Sequence, residues 1–102
     1  MNKQKITIIG NGRFGKTLHH LLKDDFAVTV FTRKGTTSLE EAYENDVIFY
    51  AVPIAAFEDV IKFHKRFFRP DHVLIDVLSV KLHPAKIFTK YHFPFKSLNI
   101  NN

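Results

Sequence analysis

Ile6-Thr7-Ile8-Ile9-Gly10-Asn11-Gly12-Arg13-Phe14-Gly15 is the stretch on which the fold of this chain turns. Its first four residues are apolar or β-branched and read as a buried strand. The glycines that follow fit G-x-G-x-x-G, and Phe14, Leu18, Leu21 and Leu22 then recur at helical spacing. A strand over Lys5–Ile9 and a helix over Arg13–Lys23 are therefore expected, joined by a tight turn. Each glycine has a physical task there. Gly10 permits the sharp exit from the strand, Gly12 lets the backbone approach a pyrophosphate with no Cβ in the way, and Gly15 lets the helix lie close to the strand. The unpaired N–H groups and the positive dipole end of the helix then face phosphate oxygens. Gly10, Asn11, Gly12, Arg13, Phe14 and Gly15 are candidate dinucleotide-binding residues.

Working outward, strand and helix patterns alternate along the whole chain, which implies an α/β fold with a parallel sheet. Phe26–Phe31 reads as a second strand and Thr32–Thr37 as a loop centred on Gly35. Ser38-Leu39-Glu40-Glu41 is a capping box of the S-x-x-E type, so a short helix is expected over Leu39–Tyr43. Asp46–Val52 is apolar on both faces, as a buried parallel strand is. Pro53 suits the first turn of a helix that buries Ile54, Phe57, Val60, Ile61 and Phe68 and ends before Pro70. His72–Asp76 reads as a fourth strand, Ser79–Lys81 as a loop and Pro84–Tyr91 as a helix, broken by Phe93-Pro94-Phe95. Leu98-Asn99-Ile100 is expected to begin a fifth strand. The resulting architecture is a Rossmann-like, doubly wound parallel sheet of four or five strands in one domain spanning residues 1–102, without internal repeats.

The bulk properties narrow the function classes. At 102 residues there is room for one core. Cysteine is absent, which removes disulfides, thiolate metal sites and thiol catalysis, and suits a cytoplasmic setting. Met1-Asn2-Lys3-Gln4-Lys5 leads directly into a strand, so no signal peptide is expected, and no apolar run has a membrane-spanning length. A net charge of +5 favours acidic partners, which phosphate-bearing ligands satisfy. The basic positions Lys62, His64, Lys65, Arg66 and Arg69 alternate with Phe63, Phe67 and Phe68. That spacing reads as an amphipathic helix with a solvated face rather than a nucleic-acid surface. His19, His20, His64, His72 and His92 show no metal-binding spacing and are expected at helix surfaces or core edges.

The tip of the second strand decides which adenine ribose is preferred. An acidic residue there would bind the 2′-hydroxyl of NAD. This chain instead has Phe31-Thr32-Arg33-Lys34, with no carboxylate. Thr32 offers a hydroxyl, Arg33 a fork of donors suited to phosphate oxygens and Lys34 a point charge, so NADP is expected over NAD.

Asp76-Val77-Leu78-Ser79-Val80-Lys81, taken with the glycine turn and Ala51-Val52-Pro53-Ile54, resembles the prephenate/arogenate dehydrogenase family. It is most similar to the NADP-using arogenate dehydrogenases of the plant type. The resemblance covers nearly all of this chain and the front part of the family's length. It implies an oxidoreductase of tyrosine biosynthesis that decarboxylates prephenate or arogenate while a hydride passes to the nicotinamide. By the same resemblance Thr32 and Arg33 lie on the adenosine side, Ala51, Val52 and Pro53 border the cofactor, and Ser79 helps place the hydroxyl being oxidised. The resemblance puts the catalytic histidine in a His-Pro pair after the fifth strand. His83-Pro84 matches that pair in letters only, because it falls at a helix start just after Ser79.

Three expectations follow from that placement. The chain holds a cofactor cradle without its catalytic base and helical substrate domain, so it should be inactive alone. Its sheet should carry an unpaired edge, which implies a homo-oligomer or pairing with another polypeptide. The alternative is a non-catalytic dinucleotide-binding module with a regulatory or structural role.

Overall fold

The computed structural model describes residues 3–76 and 96–97. The elements in chain order are β1 (Gln4–Ile9), α1 (Arg13–Leu22), β2 (Phe26–Phe31), α2 (Leu39–Ala42), β3 (Val47–Tyr50), α3 (Ile54–His64), a 3-10 turn (Lys65–Phe67), β4 (Val73–Asp76) and β5 (Lys96–Ser97). They form one sheet of order β2-β1-β3-β4-β5 in which every neighbouring pair is parallel. The chain leaves β1 toward β2 and then returns to the other side of β1 for β3. The strand order therefore reverses between β1 and β3, where doubly wound sheets open a crevice at their carboxyl ends.

Alternation along the strands makes the two faces. Ile6 and Ile8 of β1 and Phe49 of β3 pack with Leu18 of α1, with Phe14 and Leu22 at the margin. Ile9, Ile48 and Tyr50 point the other way, into a cluster with Tyr43 and with Phe57 and Ile61 of α3. Full burial of each such aliphatic side chain contributes about 1.5–3 kcal/mol. The capping box at Ser38 is formed: Glu41 N–H donates to Ser38 Oγ at 3.1 Å, and Ser38 N–H donates to Glu41 Oε1 at 3.3 Å.

The sequence expectations need adjustment at four places. Leu21 is 57% exposed, and the buried residues of α1 are Gly15 and Leu18. Pro53 is the N-cap of α3 rather than its first helical residue. The α-helix ends at His64 and tightens into the 3-10 turn, so Phe68 lies beyond it, half-buried against the Tyr43 cluster. Strand β5 includes Lys96 and Ser97, earlier than the expected start at Leu98. Ser79, Lys81, His83, the expected helix Pro84–Tyr91, His92 and Leu98–Ile100 lie outside the described residues. No helix among the described residues is long and apolar enough to cross a membrane.

Candidate cofactor-binding site

The turn after β1 is fixed from two sides. Gly10 N–H donates to Phe31 O at the end of β2, and Ala51 N–H donates to Ile9 O, both at 2.9 Å. Gly10 has φ +108°, and a Cβ there would come within 2.6 Å of Ala51 O, so geometry and space both demand glycine. A Cβ on Gly15 would stand 2.8 Å from Gly10 O, which shows how closely α1 approaches the turn. Gly12 is different. A Cβ there would meet no protein atom within 4 Å, so the protein's own packing does not require it. An open glycine at that position fits a ligand that must approach the backbone.

Gly12 caps α1 without a side-chain hydrogen bond, and the first turn contains no acidic residue. The leading N–H groups of α1 are thus left available to an anion, with the dipole favouring negative charge. Beside this turn lies a cleft of about 490 Å³ over the carboxyl ends of β1, β2 and β3. One wall is the β2 tip, with Phe31, Thr32, Arg33 and Lys34. The floor is Ile9, Gly10 and Asn11, and the opposite wall is Val52, Pro53, Ala56, Val60 and His64. Arg33 and Lys34 are exposed, and neither forms an ion pair among the described residues. A backbone turn against Gly35 N–H, 3.2 Å from Thr32 O, shapes the loop that carries them.

Of the residues singled out in the sequence, Gly10, Asn11, Thr32, Arg33, Lys34, Val52 and Pro53 meet in this cleft. Gly12 and Arg13 are exposed at the start of α1, whereas Gly15 is buried beneath Gly10. Phe14 packs toward the Ile6–Ile8–Leu18 cluster, and Ala51 lies under the turn. Ser79 is outside the described residues. Sequence reasoning did not include Ala56, Val60 and His64. The signal was available, because Pro53, Ala56, Val60 and His64 recur at three- and four-residue spacing and so share a second face of α3.

Behind that wall sits a hydrogen-bonded aromatic group. Tyr43 Oη lies 2.8 Å from Tyr50 Oη and 2.8 Å from His64 Nδ1. The His64 ring also meets Phe31 edge-on, with ring centroids 5.4 Å apart. Burial pushes the His64 imidazole down to about 4 and raises both tyrosine hydroxyls well above their usual range. All three are neutral near pH 7. His72 braces Tyr43 from another side: Arg69 N–H donates to His72 Nδ1 at 2.8 Å, so His72 Nε2–H donates to Tyr43 O at 2.8 Å. His64 and His72 are thus core residues. The basic stretch is dispersed accordingly, since Arg69 pairs with Asp46 at 3.0 Å and Arg66 lies over the Phe67 ring.

Known proteins share this fold. A model of the family described as prephenate dehydrogenase, nucleotide-binding domain, matches residues 19–96, well over half of the chain and starting inside α1. No curated protein matches. Among solved structures, a prephenate dehydrogenase candidate from Corynebacterium glutamicum superposes with a TM-score of 0.79 at 19% identity. That superposition covers 95% of this chain and 37% of the other. The prephenate dehydrogenase of A. aeolicus, solved with hydroxyphenyl propionate and NAD+, gives 0.73 at 17% identity, covering 95% and 41%. Lactate dehydrogenase from Eimeria maxima, solved with NADH and oxamate, gives 0.62 at 13%, covering 94% and 43%. The chain spans about two fifths of the length of these structures, and at such identities their likeness carries the fold. The family model carries the membership: this chain belongs to the family of the prephenate dehydrogenase nucleotide-binding domain.

Proposed function

We propose that the cleft binds NADP(H), with NAD as the weaker ligand, and that the chain is the cofactor-binding portion of an oxidoreductase acting on prephenate or arogenate. The observation that carries the cofactor choice is the β2 tip. Arg33 and Lys34 stand at the cleft with no carboxylate beside them, where an NAD-specific site places an acid. A 2′-phosphate would meet the Arg33 fork, the Lys34 charge and the Thr32 hydroxyl. The pyrophosphate would lie against Gly10, Asn11, Gly12 and the N–H groups of Arg13, Phe14 and Gly15, with Ala51, Val52 and Pro53 closing the site from β3. Such a cofactor supplies a hydride acceptor; the chain's residues bind and orient it at the end of the sheet.

Family membership supports the substrate class. The D-V-x-S-V-K stretch supports a plant-type arogenate enzyme of cytoplasmic tyrosine biosynthesis, in which Ser79 would position the hydroxyl that is oxidised. The sheet continues past β4 only through Lys96–Ser97 among the described residues, and a second polypeptide or copy is proposed to complete it. The NAD+ in the A. aeolicus structure makes NAD the natural competitor in the test.

Parallel calorimetric titration with NADP and NAD checks the reading. NADP should bind at least about tenfold more tightly, a difference of about 1.4 kcal/mol. Arg33→Asp should weaken NADP by a similar factor and leave NAD within about twofold. Equal losses for both cofactors, or a preference of the native chain for NAD, would overturn the assignment.

A further inference from the structure

The loop that carries the β2 tip is fixed at both ends. At its start, Gly10 N–H donates to Phe31 O at 2.9 Å, which ties the last residue of β2 to the glycine turn. At its end, Ser38 and Glu41 close the capping box of α2. Between these anchors Gly35 N–H donates to Thr32 O at 3.2 Å, so Thr32–Gly35 is a β-turn with Arg33 and Lys34 at its two central positions. Thr32, Arg33 and Lys34 all line the cleft. A turn that holds two cations and a hydroxyl at one tip is arranged in advance for an anion, and less freedom is lost when one binds.

Gly35 closes this turn, and its backbone angles do not demand a glycine: it is exposed, and its φ lies outside the left-handed region. The demand is for space. A Cβ on Gly35 would stand 2.8 Å from Thr32 Oγ1, whereas the next nearest atoms, Thr32 O and Thr32 N, are 3.6 and 3.9 Å away. The Thr32 hydroxyl therefore lies across the turn, against the bare Cα of Gly35. Threonine has three staggered positions about χ1. One puts Oγ1 in that place, one puts the γ-methyl there, and the third leaves only a hydrogen. A side chain on residue 35 would force Thr32 into the third, carrying the hydroxyl away from its present place, or would open the turn.

We propose that Gly35 is a positioning residue for cofactor discrimination: by leaving room for the Thr32 hydroxyl, it holds Thr32, Arg33 and Lys34 as one cradle for the phosphate on the adenosine ribose. The inference rests on the NADP reading of the cleft. It adds a residue that acts through Thr32 without touching the ligand. The glycine turn meets the pyrophosphate, which NADP and NAD share, so a change at residue 35 acts on the dinucleotide that carries the extra phosphate. A charge-assisted hydrogen bond depends steeply on distance and angle, and a displaced Thr32 hydroxyl loses it.

A double-mutant cycle on the 102-residue chain, read by calorimetric titration with NADP and with NAD, tests this. Gly35→Ala should weaken NADP about tenfold, the loss of one charge-assisted hydrogen bond, and leave NAD within about twofold. Thr32→Ala should weaken NADP by a similar factor. In the Thr32→Ala background, Gly35→Ala should then change NADP by less than about twofold, because the nearest atom left to the new methyl group is a backbone oxygen at 3.6 Å. NAD binding in the same variants reports that the glycine turn and the sheet beneath it are intact. If Gly35→Ala leaves NADP unchanged, weakens both dinucleotides alike, or costs as much without the Thr32 hydroxyl as with it, the positioning role is overturned and the cofactor assignment stands. If the native chain binds neither dinucleotide, or prefers NAD, the reading of the cleft falls and this role falls with it.

Discussion

At the front of the cleft, the turn from Gly10 to Gly15 gets its shape from the backbone. A positive φ at Gly10, two hydrogen bonds to neighbouring strand ends and a 2.6 Å limit on any Cβ at Gly10 leave little freedom. At the back, Tyr50, Tyr43, His64 and His72 get their arrangement from side chains that meet across a helix, a strand, the turn after α2 and the loop before β4. The front is local in sequence and the back is assembled from distant positions. The front also offers generic backbone donors to any phosphate, whereas the back is a braced group of aromatic side chains. The front is therefore shaped to meet phosphate oxygens, and the back is shaped to hold the wall of the cleft in place.

The sharpest way to break this division is Gly10→Ala. It imposes a left-handed conformation on alanine and drives a methyl group into Ala51 O, so it should destabilise the chain by about 4 kcal/mol. Urea unfolding measures this, and a change under about 1 kcal/mol would show that the turn is not the rigid part. Next in size is the response of the back wall to acid. The folded His64 pKa is lowered to about 4 from its ordinary 6.5, so the unfolded chain takes up the proton first. The stability that depends on neutral His64 is fully present above pH 6.5, is lost as the pH falls and levels off below about 4. The total is about 3 kcal/mol. The difference between the native chain and His64→Leu across that range isolates it, and parallel pH profiles would contradict the buried neutral imidazole. Smallest in stability is Gly12→Ala, expected to change it by less than about 1 kcal/mol because the added methyl meets nothing. The same variant should weaken NADP by at least about tenfold if the pyrophosphate lies against that backbone. Unchanged binding would remove Gly12 from the site.

Legibility in the sequence follows the same division. The Gly10–Gly15 turn, the Ser38–Glu41 capping box and the cationic β2 tip are local patterns, and the cleft brings the turn and the tip together where their spacing implies. Leu21 misleads a purely periodic reading. Close approach at Gly15 turns the buried face of α1 toward Gly15, Leu18 and Leu22, and Leu21 stands about 100° round from Leu22. The burial of His64 is hidden for another reason. Its partner Tyr43 is 21 residues away, and His72 reaches Tyr43 across 29. No local rule pairs such residues; only the packing of α3 and β3 against the segment after α2 brings them together. The basic letters around His64 also drew it into an apparent cationic surface, whereas its ring is turned into the core.

Amide chemical-shift mapping on the ¹⁵N-labelled chain with NADP tests most directly whether this cleft is the cofactor site. The largest shifts should fall on Gly10–Gly15, on Phe31–Lys34 and on the Val52–Val60 stretch, at the carboxyl ends of β1, β2 and β3. Shifts confined to other surfaces, such as the side of α3 that carries exposed Phe63, or no shifts at saturating NADP, would contradict it.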